Sequence, residues 1–203
     1  MRDELTEVDI RKMQAEIEER KHVTAPRLRD LVKAAKEQGD LSENDGYHSA
    51  RREFNANNSR IAYLEAMVKS AVILIPESKI ANCSDEPGER EAEIRKILTE
   101  LGLDAGQEVK VVPDNAEEIG LFDKVGVHYV EDNEDDVLTI VTTLRNDVRH
   151  NCISKESPLG SALLGHRVGD TVKIRVNDTF SYQVTVTSIE KGQDDANLEI
   201  AKY

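Results

Sequence analysis

The chain of 203 residues has no tryptophan, three phenylalanines and five tyrosines. A platform that stacks the bases of single-stranded nucleic acid needs clustered rings, so this composition argues against one. There are two cysteines, Cys83 and Cys152. Neither has a second cysteine or a histidine at metal-ligand spacing, so no zinc site is expected, and one possible pair gives no sign of secretion. The longest apolar run, Ala71 to Ile75, is far too short to cross a bilayer. The first residues, Met1-Arg2-Asp3-Glu4, are charged and do not resemble a signal peptide. A cytoplasmic protein with no membrane partner is the expectation. Positive charge is also short: 27 Lys and Arg face 40 Asp and Glu, a net of -13. Bulk binding to DNA needs clustered cations that release counterions, and this balance excludes it. Any contact with nucleic acid has to come from a local patch or through a partner.

What is present divides the chain in two. Residues 1–75 carry a net charge of -1 and residues 76–203 a net of -12. The first part is rich in Ala, Glu, Arg and Lys, and its apolar residues follow helical spacing. Tyr47, Ala50, Phe54, Asn57, Ile61, Leu64, Val68 and Ala71 form an a/d seam, with Asn57 as the polar, register-setting member. Ile10, Met13 and Ile17, then Thr24, Leu28, Leu31 and Ala35, form a facing seam that weakens at Arg20 and Lys21. Pro26 predicts a kink or restart there, with Thr24 as N-cap. Between the two helices, Gly39 suits a helix end, and Ser42 with Asp45 has capping-box spacing for the next start. The turn is short, so the helices must be antiparallel, an arm on the order of 45 Å long.

The second part reads as strands: Val125–Val130, Val137–Thr143, Thr171–Val176 and Tyr182–Ile189. A short helix is expected over Gly160–Gly165, a hairpin loop over the acidic stretch Glu131–Asp136, and a further helix within Asp85–Gly102. The organisation predicted is α+β. A coiled-coil hairpin over 1–75 has its acidic tip at 39–45, a linker with an inserted helix spans 76–118, and a small sheet domain spans 119–203.

The arm's tip is where chemistry would sit. Asp40 and Glu43 stand three residues apart in an uncovered turn. Solvated carboxylates keep ordinary pKa values and are poor general acids. They are hard oxygen donors of the kind Mg²⁺ takes, but two donors need completion by whatever receives the arm. Turn chemistry and the helix dipole account for the same two residues at least as readily. Lys33 and Lys36 before the tip, and Arg51 and Arg52 after it, give residues 21–60 a net charge of +2, a patch able to meet a phosphate backbone. A solvated helix face is the plainer account.

The string Gly39-Asp40-Leu41-Ser42-Glu43-Asn44, with Tyr47-His48-Ser49-Ala50-Arg51, resembles the hairpin tip of bacterial Gre transcript-cleavage factors. Ile153-Ser154-Lys155-Glu156-Ser157-Pro158-Leu159-Gly160-Ser161-Ala162-Leu163-Leu164-Gly165, followed by Gly169-Asp170, resembles that family's second signature. The likeness covers residues 6–80 and 119–190 and is nearest the family's GreA branch. It implies an antiparallel coiled coil followed by an FKBP-like antiparallel sheet domain with a short helix. It also implies a monomeric transcription elongation factor that binds RNA polymerase, enters its secondary channel and stimulates cleavage of backtracked RNA. Asp40 and Glu43 would share a Mg²⁺ with the polymerase, supported at the tip by Leu41, Ser42 and Asn44. Lys36, Arg51 and Arg52 would face the nascent RNA 3′ end, and Glu156, Ser157 and Pro158 would dock on the polymerase. The family implies no independent active site. A channel-binding inhibitor of the same fold is the alternative. A prolyl isomerase would need an aromatic-lined pocket built from Phe122, Tyr129, Phe180, Tyr182 and Tyr203. Three features depart from the family pattern: Asp45-Gly46 at the tip, the insertion near 82–118, and the acidic hairpin.

Overall fold

Thr6 ends a strand and starts a helix. Its hydroxyl accepts from the Asp9 N–H at 3.3 Å, and its own N–H donates back to Asp9 Oδ2 at 3.1 Å. This reciprocal capping box satisfies two otherwise orphaned donors and sets the boundary between β1 (Glu4–Thr6) and α1 (Glu7–Glu19). The computed structural model describes residues 3–37, 44–80, 87–113, 115–177 and 179–194.

The first strand of the arm is α1, a five-residue π segment at Arg20–Thr24, and α2 (Ala25–Lys36). The second is α3 (Asp45–Ser70), which packs antiparallel against it. Pro26 lies in the first turn of α2, and the break expected there takes the form of the π segment. Thr24 is not a cap: its backbone is helical and its side chain makes no capping bond, because the chain never leaves helical geometry. The π segment holds one residue more than an α turn. Beyond it the expected Leu28 and Ala35 do face inward, but Leu31 is 48% exposed and half-buried Val32 takes its place between them.

The weak middle of the seam is a polar clamp. Asn57 is buried, and its Oδ1 accepts from Arg20 Nη1 at 3.1 Å. Glu16 accepts from Arg20 Nε at 2.7 Å and, across the arm, from Arg60 Nε and Nη2 at 3.1 and 3.2 Å. Below the clamp, Ile10, Met13, Ile17, Ile61, Leu64, Met67 and Val68 form a continuous core. Above it only Leu28 is buried on α2, and Tyr47, Ala50 and Phe54 are half-buried.

The apolar run after α3 becomes β2 (Val72–Pro76), paired in parallel with β1 on one side and with β3 (Val109–Val112) on the other. Parallel strands covered on both faces read as unbroken apolar sequence, which is why Val72 to Ile75 are all buried. A parallel connection requires a crossover. The arm is the crossover from β1 to β2. The stretch expected as a linker with an inserted helix supplies the next one: α4 (Glu77–Ile80), α5 (Pro87–Glu100) and β3 itself, whose strand the periodicity does not reveal. Leu98 and Leu101 of this segment enter the same core as the arm's base. Gln14 Nε2 donates to the Leu101 carbonyl at 2.7 Å, and Gln107 Nε2 to that of Val68 at 2.5 Å.

The second sheet has the order β6 (Cys152–Ser154), β5 (Glu134–Val141), β4 (Lys124–Tyr129), β8 (Ser181–Glu190), β7 (Thr171–Arg175), antiparallel except at β5–β6. Its inner face carries Val125, Val127, Leu138, Ile140, Ile174, Val184 and Val186, closed by Leu159 and Leu163 of α6 (Pro158–Leu163). The acidic hairpin is tighter than expected. Glu134, Asp135 and Asp136 already pair with Tyr129, His128 and Val127, so the loop proper is shorter than Glu131–Asp136.

The clamp makes arm stability depend on pH. Hydrogen bonds from Arg60, then Arg20, hold the Glu16 carboxyl below its ordinary range against partial burial. A depressed folded-state pKa contributes stability above the unfolded value and loses it as pH falls through the folded one. Thermal melts should place Glu16→Gln below the parent at pH 7 by about 1 kcal/mol or less, given partial exposure. The two curves should converge as pH drops from about 5 to about 3. Parallel curves across that range would show that the clamp contributes nothing.

Candidate functional site

Asn44 organises the far end of the arm. It is the N-cap of α3: its Oδ1 accepts from the Tyr47 N–H at 2.9 Å. Its Nδ2 donates across the arm to the Ala35 carbonyl of α2 at 2.8 Å. One side chain thus satisfies an orphan donor of one helix and a terminal carbonyl of the other. It displaces the expected Ser42/Asp45 box, since Asp45 is already the first residue of α3, where its charge complements the helix dipole. Asp40, Leu41, Ser42 and Glu43 lie outside the described residues. They belong to the connection whose two ends this staple ties together. Gly46 follows the cap, and a Cβ there would come within 3.2 Å of Asn44 Oδ1. Glycine at this position therefore leaves room for the cap, beyond the cost it carries as a helix residue.

The basic residues are placed as the spacing suggests. Lys33, Lys36, Arg51 and Arg52 are exposed. Arg51 Nη1 is 3.4 Å from the Tyr47 hydroxyl, and the Tyr47 and His48 rings meet edge-on at 5.6 Å. Lys33, Lys36 and Arg52 make no ion pair among the described residues.

The second candidate site is far from the tip, on the loop between β6 and α6. Glu156 and Pro158 are exposed, whereas the Ser157 hydroxyl turns inward and accepts from the Gly160 N–H at 3.0 Å as the N-cap of α6. The Ser157 N–H donates to the Ser154 carbonyl at 2.9 Å and the Glu156 N–H to Ser154 Oγ at 3.2 Å. A Cβ on Gly160 would run into that same Ser154 carbonyl, so glycine is what lets α6 close on β6 and hold the loop. Ser157 is a scaffold for the loop, and the surface it offers is Glu156 and Pro158.

Family comparison now bears on the whole chain. The model described as transcription elongation factor, N-terminal, matches residues 4–73, and that described as transcription elongation factor, GreA/GreB, C-term, matches 113–191. The chain belongs to the GreA/GreB family of transcription elongation factors. Similar curated proteins include transcription elongation factor GreA of Caldanaerobacter subterraneus subsp. tengcongensis, 34% identical over 85% of this chain and 87% of that one. GreA of Streptococcus pneumoniae is 31% identical over 89% and 90%. Among solved structures, GreA factor homolog 1 (Gfh1) of Thermus thermophilus aligns over 94% of this chain and all of its own, at 21% identity and a TM-score of 0.34, too low to carry an argument.

Neither family match reaches residues 74–112. In this Gre-family chain that segment builds the outer strand and crossover helix of the parallel sheet. It also forms one wall of a cavity of about 440 Å³ at the carboxyl ends of β1, β2 and β3. Of the charged groups lining it, Lys79 pairs with Glu7 and Lys191 with Asp123, and Asp194 pairs with the buried Arg145 behind the wall. Of the aromatic residues in the second half, Tyr129, Tyr182 and Phe180 gather with centroids 5.9 and 6.0 Å apart, and Phe122 is taken up beneath Arg145. Tyr203 lies outside the described residues. The helices described contain no segment long and apolar enough to cross a membrane.

The residue that sequence reasoning passed over is Arg145, buried with its partner Asp9. The Thr6-x-x-Asp9 spacing is a readable cap signal, but its union with a residue 136 positions away is not.

The staple generates a prediction. Asn44→Ala removes the cap, worth about 1 kcal/mol, together with the cross-arm bond. Amide exchange at Tyr47 and His48 should accelerate about fivefold or more, while exchange in the Ile61–Val68 core segment stays as in the parent. Unchanged protection at Tyr47 would remove Asn44 from its assigned role.

Proposed function

We propose that this chain binds bacterial RNA polymerase, places the tip of its arm in the secondary channel and stimulates the polymerase's own cleavage of backtracked RNA. The observation that carries the reading is the Asn44–Ala35 bond, which ties together the two ends of the sequence segment holding Asp40 and Glu43 at the end of a thin, exposed arm, on a chain matched at both ends by the Gre family. An arm with little core near its tip suits insertion into a channel better than packing within a scaffold.

The donor chemistry fits the ion the reading requires. Asp40 and Glu43 offer hard carboxylate oxygens, and a Mg²⁺ held by one or two carboxylates takes its remaining ligands from water, phosphate and, here, the polymerase. Bound there, the ion would stabilise charge developing on the attacked phosphate. The chain's own part is to deliver the two carboxylates, orient the attacking water and hold the RNA backbone with Lys36, Arg51 and Arg52. Glu156 and Pro158, presented by the capped start of α6, dock on the polymerase. The chain thus acts as a polymerase cofactor, as a monomer in the cytoplasm, and needs no active site of its own.

The decisive experiment is RNA cleavage in stalled, backtracked bacterial elongation complexes with Mg²⁺. The parent should release 3′ fragments faster than polymerase alone. Asp40→Ala and Glu43→Ala should each reduce stimulation about 10²-fold or more while competing normally for polymerase, as expected when groups acting only in the transition state are lost. Full stimulation by both variants would refute the carboxylate mechanism. Competition for the channel without cleavage by the parent would assign the inhibitor reading instead.

Docking is tested separately. Glu156→Ala combined with Pro158→Ala should raise the concentration needed for half-maximal stimulation about tenfold, leaving the saturated rate unchanged. An unaltered half-saturation point would mean that another surface docks.

A further inference from the structure

The two halves of the chain meet around a buried guanidinium, next to Leu144, which enters the core of the arm's base. Arg145 ends a short 3-10 turn, Thr143–Arg145, beyond β5, and its side chain is fully buried. Its Nε lies 2.6 Å from Asp9 Oδ1, its Nη1 2.6 Å from Asp194 Oδ1, and its Nη2 donates to Thr6 Oγ1 at 3.3 Å. The guanidinium carbon sits 5.2 Å from the centroid of the Phe122 ring.

Asp9 is equally buried, and its other oxygen accepts from both the N–H and the hydroxyl of Thr6. The carboxylate that closes the first turn of the arm is therefore the one that binds the second sheet. A planar fork with donors in fixed directions constrains angle as well as distance. Here the fork joins the start of α1, the segment after β8 and the ring of Phe122. A second tie lies nearby: Lys155, next to the docking loop, pairs with Glu4 of β1.

We propose that Arg145 is a positioning residue that makes the arm and the docking sheet one rigid body, so that docking aims the tip. The functional half of this inference rests on the cleavage reading above; the mechanical half does not. On an arm of about 45 Å, a tilt of roughly 5° at the base moves the tip by about 4 Å. Misplacement of reacting groups by about 1 Å can cost about 10²-fold in rate. Lysine cannot replace the fork, because it carries one charge without the fixed donor directions.

The test uses the full chain with Cys83→Ser and nitroxide labels at Val23→Cys and Val168→Cys, which are 62% and 56% exposed. Pulsed dipolar spectroscopy should give a narrow distance distribution for the parent, a broad one for Arg145→Met and an intermediate one for Arg145→Lys. If Arg145→Met does not fold, Arg145→Met with Asp9→Asn removes both buried charges and keeps an oxygen to accept the Thr6 N–H. Distributions as narrow as the parent's in the folded variants overturn the proposal, whatever the polymerase does. In unlabelled protein, the same variants should lower the saturated cleavage rate about 10-fold to 10²-fold, with half-saturation within about threefold of the parent. A normal saturated rate despite a broadened distribution would overturn the claim that the latch aims the tip. A broadened distribution with a parent that stimulates no cleavage upholds the rigid coupling and rejects the cleavage reading alone.

Discussion

The ion pair between Arg145 and Asp9 is the constraint on which the rest of the molecule hangs. Neither side chain reaches solvent, and burying an ion pair costs desolvation on both sides. That cost is offset by the groups around the pair: a second carboxylate from Asp194, the Thr6 hydroxyl and the face of Phe122. Loss of one partner in such a pair typically costs about 3–5 kcal/mol, since the other charge stays buried. The same carboxylate also fixes where α1 begins. The start of the arm and the attachment of the second sheet are therefore a single event.

Away from that anchor the arm becomes progressively less supported, and polar chemistry replaces packing. Its base is a shared core reinforced by α5 and a parallel sheet. Its middle is the clamp of Glu16, Arg20, Asn57 and Arg60, next to the π segment. Its end is held by Asn44, which bonds to both helices at once. An exposed end cannot be held by hydrophobic burial, so side-chain bonds to free backbone groups carry the load. The loop before α6 follows the same logic, with Ser157 and Ser154 occupied in backbone contacts while Glu156 and Pro158 face outward.

Much of this was legible in the residues. The a/d spacing on α3 marked the arm, with Asn57 as its polar member, and β-branched runs marked four of the five strands of the second sheet; β6, three residues long, was missed. Two motifs marked the family. The errors have physical causes. Leu31 was assigned inward because spacings of three and four from Leu28 both satisfy a helical seam, and the structure chose Val32 at the spacing of four. Thr24 was assigned as a cap because proline usually follows a helix start, but here the helix runs through. The run Ala71 to Ile75 was placed at the end of the hairpin over 1–75, yet Val72 to Ile75 belong to β2, since unbroken apolar residues of that length also describe a buried parallel strand. The partner strand β3 has too few apolar residues to announce itself.

By itself the sequence determined the local grammar: which stretches are helical, where Asp40 and Glu43 sit between them, and which family the chain joins. These follow from nearest-neighbour physics, in which spacings of three and four residues or alternate positions report one face of one element. Only the tertiary structure decided that residues 74–112 complete a sheet under the arm, that Val32 and not Leu31 faces inward, and that Arg145 closes on Asp9. Those facts depend on contacts between residues far apart in the chain, whose pairing is selected by how buried charge and apolar surface are jointly satisfied, and no local pattern records that choice.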